Sequence, residues 1–182
     1  MILDMTQGKP SRLLMKFAFP LMLSMLLQQC YSLCDTLIVG RFLGAVALTA
    51  TGSAGGLSWF PQNLICCAIY AYGVSLSHRF GAKDMEGFRR FFAGGLVLTV
   101  AIGVIITVVG TVFAKRFLAL LNTPAELMSM ATTYLRILWI GFLVTALMNL
   151  FSTALTSLGD SKTPLVSLAI SSVVNIVLDI VF

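Results

Sequence analysis

The chain has 182 residues, of which 58% are hydrophobic and 10% charged, with a formal net charge of +5. Soluble domains carry about 25% charged residues, and a water-soluble core of this size could not enclose so much apolar surface. This composition excludes a soluble domain and, with a mean hydropathy of +0.97, indicates a membrane protein. The positive charge then reflects Lys and Arg in cytoplasmic loops rather than a nucleic-acid-binding surface.

Five apolar runs are each long enough to cross a bilayer as a helix of about 20 residues. Run length and the lack of sustained two-residue alternation favour helices over strands. The first run follows basic residues, as in a signal peptide, but it contains Pro20 and lacks a small-x-small cleavage site, so we interpret it as a retained span. The predicted spans cover approximately residues 17–39, 46–73, 91–114, 130–156 and 164–182.

Two helix starts carry capping signals. "TPAE" predicts Thr123 as the N-cap residue of the fourth helix, with Glu126 closing a capping box. "DSKTP" predicts Thr163 as the N-cap of the fifth helix, directly before Pro164. Small residues in "ATGSAGG" (50–56) and "AGG" (93–95) predict close packing between helices.

The distribution of basic residues predicts a cytoplasmic N-terminus. Eight of the 12 Lys and Arg residues fall in the N-terminal segment or in the loops after spans two and four, and four fall on the opposite side. The eight are Lys9, Arg12, Lys16, Arg79, Lys83, Arg89, Arg90 and Lys162, and the four are Arg41, Lys115, Arg116 and Arg136.

Two acidic residues, Asp35 and Asp179, fall inside predicted spans. A charge at that depth costs several kcal/mol unless it faces water or a partner, so intramembrane acids usually mark an ion or substrate path. At about 1.5 Å per residue, Asp35 lies roughly 27 Å along span one and Asp179 roughly 22 Å along span five. If the two spans are neighbours, the acids can share one pocket.

Amides accompany both acids. Asn175 lies one helical turn before Asp179, and Gln28 lies two turns before Asp35 on the same face. Two carboxylates and an amide can bind a hard cation or share a proton. The alternatives are that Asp35 pairs with Arg136 near the start of span four, or that it is shallow enough to be hydrated.

The other polar residues give weaker signals. Asn63 and Asn149 lie inside spans two and four and are possible cavity-lining residues, although such amides more often bond a neighbouring helix. Cys30 and Cys34, one turn apart, could in principle hold a soft metal, but no His or further Cys joins them, so we predict no metal site. The chain has no phosphate-binding loop, zinc-ligand spacing or nucleophile elbow, which argues against an enzyme.

Three stretches together resemble the multidrug and toxic compound extrusion (MATE) transporters. "FPLMLSMLLQQCYSLCDTLIVGRFLGAVALTATG" resembles their first span and the loop that follows it, "FGAKDMEGFRR" (80–90) their first cytoplasmic loop, and "LGDSKTPLVSLAISSVVNIVLDIVF" (158–182) the junction of the fourth and fifth spans. The resemblance covers nearly the whole chain, and the motifs occur in the family's order.

The resemblance implies an all-α polytopic bundle of five helices from a six-helix lobe, with residues 1–182 as the partial N-terminal lobe of a twelve-span parent. It implies export of drugs or organic cations from the plasma membrane in exchange for protons or sodium ions, with no other cofactor. The coupling cation would bind Asp35, Asn175 and Asp179, and Gln28 would line the same cavity.

Two other functions remain open. An exporter of lipid-linked oligosaccharides would share the scaffold but needs a large, often basic cavity, and these spans carry almost no Lys or Arg. A non-transporting membrane subunit would only pack against a partner, and no specific residue supports it. We expect the partners of the chain to be the lipid bilayer, a small-molecule substrate and the remaining C-terminal lobe.

Overall fold

The computed structural model describes the backbone of residues 10–181 and the side chains of that range except at positions 10, 43, 45–47 and 179–181. The described chain is entirely helical apart from short connections, as the long apolar runs predict. In chain order the helices are α1 (Pro10–Ile38), which continues as a π-helical turn (Val39–Leu43), α2 (Gly44–Gly81), α3 (Met85–Leu120), α4 (Ala125–Ser157) and α5 (Lys162–Val181). The all-α, five-helix architecture is therefore confirmed.

Several helices have the length and composition of membrane spans. Within the described residues, Ser11–Phe42, Met85–Leu120 and Ala125–Ser157 are long and apolar enough to cross a bilayer, and Lys162–Leu178 is a shorter apolar helix. Helix α2 is long, but Pro61, Gln62 and Asn63 near its middle lower its hydropathy.

Helices α2, α3 and α4 pack on one another and form the α2–α4 bundle, whereas α1 packs mainly along α5. The buried apolar side chains of the bundle form three clusters along its length. They are Leu76, Phe88 and Ala154 near the 82–84 connection; Ile65, Ile69, Phe142, Ala146 and Leu150 in the middle; and Ala50, Ala54, Ala114, Leu118, Leu127, Ala131, Leu135 and Trp139 near the 121–124 connection.

Glycines let the helices of this bundle approach closely. A Cβ at Gly110 would overlap the Trp139 indole, and one at Gly95 would overlap the Tyr72 ring. By contrast, the predicted close packing at residues 50–56 comes from alanines: Ala50 and Ala54 are fully buried, while Gly52, Gly55 and Gly56 have no atom within 4 Å of a built Cβ.

Polar bonds cross between the same helices. The Trp139 indole Nε1 donates to the Ser58 hydroxyl at 3.0 Å, and the buried Ser157 hydroxyl donates to the Gly73 carbonyl at 3.0 Å. The connection between α2 and α3 is held by an ion pair between Arg79 and Asp84 at 3.2 Å. Asp84 also accepts a hydrogen bond from the Gly87 N–H at 2.9 Å and so caps α3.

The two predicted N-caps are wrong. Helix α4 begins at Ala125 with Pro124 as its N-cap residue, without a side-chain capping bond, so Thr123 and Glu126 form no capping box. Helix α5 begins at Lys162, two residues after Asp160, and the Asp160 carboxylate accepts the N–H groups of Lys162 and Thr163 at 3.1 and 3.2 Å. A Thr163 cap would instead accept from the N–H groups of residues 165 and 166, and its hydroxyl donates to Asp160 at 2.8 Å.

Candidate cation-coupling site

Asp35 lies on the face of α1 that packs against other helices. The half-buried residues of α1 recur every three or four positions, as expected for one contact face of a helix. Over its second half they are Leu21, Ser24, Leu27, Tyr31, Cys34, Asp35 and Ile38. The carboxylate therefore sits at the edge of a helix interface and does not project fully into the surrounding lipid.

Asn175 occupies the corresponding face of α5. The half-buried residues of α5 are Pro164, Leu165, Leu168, Ala169, Ser172, Asn175 and Ile176. Because α5 packs mainly on α1, this face is directed at α1. The Asn175 Oδ1 atom is buried and accepts no hydrogen bond from any described residue. A buried amide oxygen without a donor is unfavourable, so it is well suited to accept a cation or a proton donor.

Helix α4 contributes a residue that the sequence analysis missed. Tyr134 is half-buried, and its phenol lies close enough to Asp35 to interact with it electrostatically. The predicted spans indicate that the two residues lie at the same depth. Asp35 lies four residues before the end of span one at residue 39. Tyr134 lies four residues after the start of span four at residue 130.

Arg136, the alternative partner of Asp35, is engaged on the other side of α4. Its Nε donates to the Thr111 carbonyl of α3 at 3.2 Å. Residues two positions apart on an α-helix point about 200° away from each other. Tyr134 and Arg136 therefore face different neighbours, with Tyr134 directed toward α1 and Arg136 toward α3.

Asp179 belongs to α5 by its backbone, one helical turn after Asn175. Its side chain lies outside the described residues. The shared pocket of Asp35 and Asp179 therefore stays a prediction, supported by the packing of α1 along α5.

A cavity lined by Gln28, Asn63 and Asn149 stays a prediction. Gln28 is exposed on α1. Asn63 donates to the Trp59 carbonyl of its own helix at 2.9 Å, and Asn149 donates to the Thr145 carbonyl of its own helix at 3.0 Å. Among the described residues, neither amide bonds a neighbouring helix, contrary to the more common arrangement of such amides.

Three helices carry oxygen-bearing candidate ligands, namely the Asp35 carboxylate on α1, the Asn175 amide oxygen on α5 and the Tyr134 phenol on α4. That they form one site stays a prediction. Oxygen ligands suit hard cations, and a carboxylate in a poorly hydrated place can also carry a proton. Among the described residues there is no group of three His, Cys, Asp or Glu side chains that could hold a metal ion, so Cys30 and Cys34 gain no further ligand.

Comparison with known proteins assigns the chain to a family. The family model MatE matches residues 20–181. The chain is 34% identical over 175 residues to the probable multidrug resistance protein YpnP of Bacillus subtilis, covering 96% of the chain and 39% of that relative. It is 24% identical over 174 residues to an FAD transporter of Shewanella oneidensis, covering 92% of the chain and 37% of that relative.

Solved structures agree with this assignment. The structure of a multidrug resistance MATE transporter of the MOP superfamily in an outward-facing conformation superposes with a TM-score of 0.85 at 27% identity, over 96% of this chain and 39% of that one. The chain thus spans about two-fifths of the length of the relatives it matches. Its sequence, its helices and their packing together place the chain in the MATE family of membrane transporters, which are not enzymes.

Proposed function

We propose that the chain forms the N-terminal lobe of a secondary antiporter that exports drugs or organic cations in exchange for protons or sodium ions. The observation that carries this proposal is the buried Asn175 Oδ1, which lacks a donor among the described residues and lies on the α5 face directed at the helix of Asp35. The multidrug resistance protein of B. subtilis, at 34% identity, supports the drug cargo.

The proposed mechanism uses the different packing of the helices. A cation binds between α1 and α5, where Asp35 supplies charge and Asn175 a neutral oxygen, with Asp179 as the predicted second carboxylate. Because α1 and α5 contact the α2–α4 bundle less than they contact each other, the bound cation changes the position of this helix pair. Alternating access then arises when this lobe moves against a second lobe of the same protein.

The proposal includes the location of the protein and its orientation in the membrane. The protein lies in the plasma membrane as a multi-pass protein with a cytoplasmic N-terminus, as the excess of basic residues near the 82–84 and 158–161 connections predicts. Its partners are the bilayer, the C-terminal lobe and a small-molecule cargo.

Efflux of a fluorescent organic cation from proteoliposomes tests the function, with the intact protein under an imposed proton gradient and, separately, an imposed sodium gradient. We expect Asp35→Asn and Asp179→Asn each to abolish gradient-driven efflux because the charge that binds the cation is lost. Glu126→Gln is the matched control, since it removes one exposed carboxylate at the start of α4. Gradient-driven efflux that is unchanged in both aspartate variants would contradict the mechanism, and translocation of lipid-linked oligosaccharide without efflux of the dye would favour the other exporter function.

A further inference from the structure

A second site lies at the opposite end of the α2–α4 bundle from the 82–84 connection. A groove of about 640 Å³ opens between the end of α3 and the first turns of α4. Lys115 of α3 and Ala125, Ser129, Thr133 and Arg136 of α4 line it. We call it the Lys115–Arg136 groove. Neither the cation-coupling site nor the family comparison accounts for it.

The groove is positively charged. Lys115 and Arg136 contribute two cations, and no carboxylate occurs among its described lining residues. Glu126, the nearest acid in sequence, is exposed and does not line it. The first turn of α4 has no side-chain cap, so the N–H of Ala125 adds a donor to the same space. Together these groups favour an anion.

The Arg136 guanidinium is held in a defined position across the groove. Its Nε donates to the Thr111 carbonyl of α3 at 3.2 Å. No hydrogen bond from its two terminal nitrogens to another described residue is seen, so both can donate to a ligand. A guanidinium fixed in this way matches two oxygens of one phosphate better than a mobile ammonium does.

The helix surfaces next to the groove become apolar toward the middle of the helices. Val108 and Val112 lie one to two turns before Lys115 on its face of α3, and they are 53% and 63% exposed. Ile140 lies one turn after Arg136 on its face of α4 and is 64% exposed. A ligand with a phosphate at one end and acyl chains at the other would contact both surfaces.

The position of the groove fits a membrane boundary. The 36 residues of α3 and 33 residues of α4 extend about 50 Å at about 1.5 Å per residue, which exceeds the roughly 30 Å of a hydrocarbon core. Both helices therefore extend into the headgroup region, and Lys115 lies five residues from the end of α3.

We infer that the Lys115–Arg136 groove binds a phosphate group, and that its apolar flank selects the phosphate of an anionic phospholipid over free phosphate. This inference does not depend on the proposed antiport. A bound lipid would fix the α3–α4 pair in the bilayer near the level of Tyr134, which lies two residues before Arg136 on α4.

Lipid retention by the intact protein tests the inference. Protein in detergent is titrated with phosphatidylglycerol, with phosphatidylcholine and with inorganic phosphate, and bound species are counted by native mass spectrometry. The variants are Lys115→Gln, Arg136→Gln and the pair. Arg116→Gln is the matched control, because Arg116 is an exposed cation on the next position of α3 whose guanidinium lies over the Phe113 ring, outside the groove.

We expect the double variant to lose phosphatidylglycerol affinity roughly tenfold or more, each single variant to lose part of it, and Arg116→Gln to keep it. Lys115→Gln leaves the bond between Arg136 and Thr111 intact, so its effect cannot be attributed to disturbed helix packing. Retention of inorganic phosphate alone, lost in the same variants, would support the phosphate site but assign it to free phosphate. Equal retention of phosphatidylglycerol by the wild type, the double variant and the control would overturn the inference.

Discussion

The α2–α4 bundle and the α1–α5 pair are built differently. Each of the three buried apolar clusters of the described residues lies in the bundle, with its tight glycine contacts and hydrogen bonds between helices. In α1, most large apolar side chains are exposed, and Pro20 and the π-helical turn Val39–Leu43 interrupt the regular backbone bonding. The two candidate coupling residues whose side chains the structure describes, Asp35 and Asn175, belong to the α1–α5 pair.

The difference indicates a division of roles. A close-packed interior resists small displacements, so the bundle provides a rigid support for the lobe. A helix pair with few fixed contacts can change position at a lower free-energy cost. A cation that binds between α1 and α5 more tightly in one of their positions shifts the pair toward that position. Substitutions in the bundle should therefore change stability, and substitutions in the pair should change ion dependence.

The largest expected effect is at Gly110. In Gly110→Ala the new methyl group would overlap the Trp139 indole, and the indole cannot move away without disturbing its cluster. We expect a loss of about 1–3 kcal/mol in stability, measured as a lower thermal unfolding midpoint of the purified protein.

Gly94→Ala is the control in the same helix. No atom lies within 4 Å of a Cβ built at Gly94, so the higher helix propensity of alanine should stabilise α3 by up to about 1 kcal/mol. Equal destabilisation by Gly110→Ala and Gly94→Ala would contradict the close-packed description of the bundle.

The next effect is on transport and concerns Asn175. In Asn175→Ala the buried acceptor is removed, so the driving cation should bind more weakly by about fivefold or more, while the unfolding midpoint changes little. The measurement is the dependence of efflux rate on the concentration of the driving cation. Asn149→Ala is the matched control, because among the described residues its amide bonds the Thr145 carbonyl of its own helix. A shift of the same size in Asn149→Ala would mean that the α1–α5 pair is not the coupling element.

Most of the fold could be predicted from the sequence because run length and composition determine membrane helices directly. Loop signals were less reliable. At "DSKTP" the sequence analysis chose Thr163 as the cap, whereas Asp160 accepts the free N–H groups, because the backbone path decides which side chain reaches them. Likewise, the glycines of residues 50–56 and 93–95 look alike in sequence, but only Gly95 meets a neighbouring side chain.

The candidate site could be predicted in part. Asp35 and Asn175 stand out because charged and amide groups are costly inside a membrane span. Tyr134 could not be found in the same way, since a tyrosine is common near a membrane boundary, and its relevance depends on which face of α4 is directed at Asp35. The bond from Arg136 to the Thr111 carbonyl could not be predicted either. A sequence position alone does not show which neighbouring helix a long side chain reaches.

A smaller effect concerns the hydrogen bond between Trp139 and Ser58. Ser58→Ala removes the acceptor of the buried indole N–H and should cost about 1 kcal/mol in stability. Trp139→Phe loses the same bond together with ring volume, so it should cost more. In the double variant the two losses should be less than additive. Strictly additive losses in thermal or denaturant unfolding would show that the bond contributes nothing.

The smallest effect, and the one with a pH signature, is at the start of α5. Hydrogen bonds from the Thr163 hydroxyl, and from the N–H groups of Thr163 and Lys162, lower the pKa of the Asp160 carboxyl below its ordinary value of 3.8. Because the folded state has the lower pKa, the stabilisation is complete above about pH 4 and is lost as the pH falls through the folded pKa. Asp160→Ala should cost about 1 kcal/mol at neutral pH and less at pH 3, because below the ordinary pKa of 3.8 the unfolded wild type takes up a proton and its stability advantage shrinks. Asp84→Ala applies the same test to the cap of α3. This variant should lose more stability than Asp160→Ala because it also breaks the ion pair with Arg79. A cost for Asp160→Ala that is unchanged between pH 7 and pH 3 would contradict a charged cap.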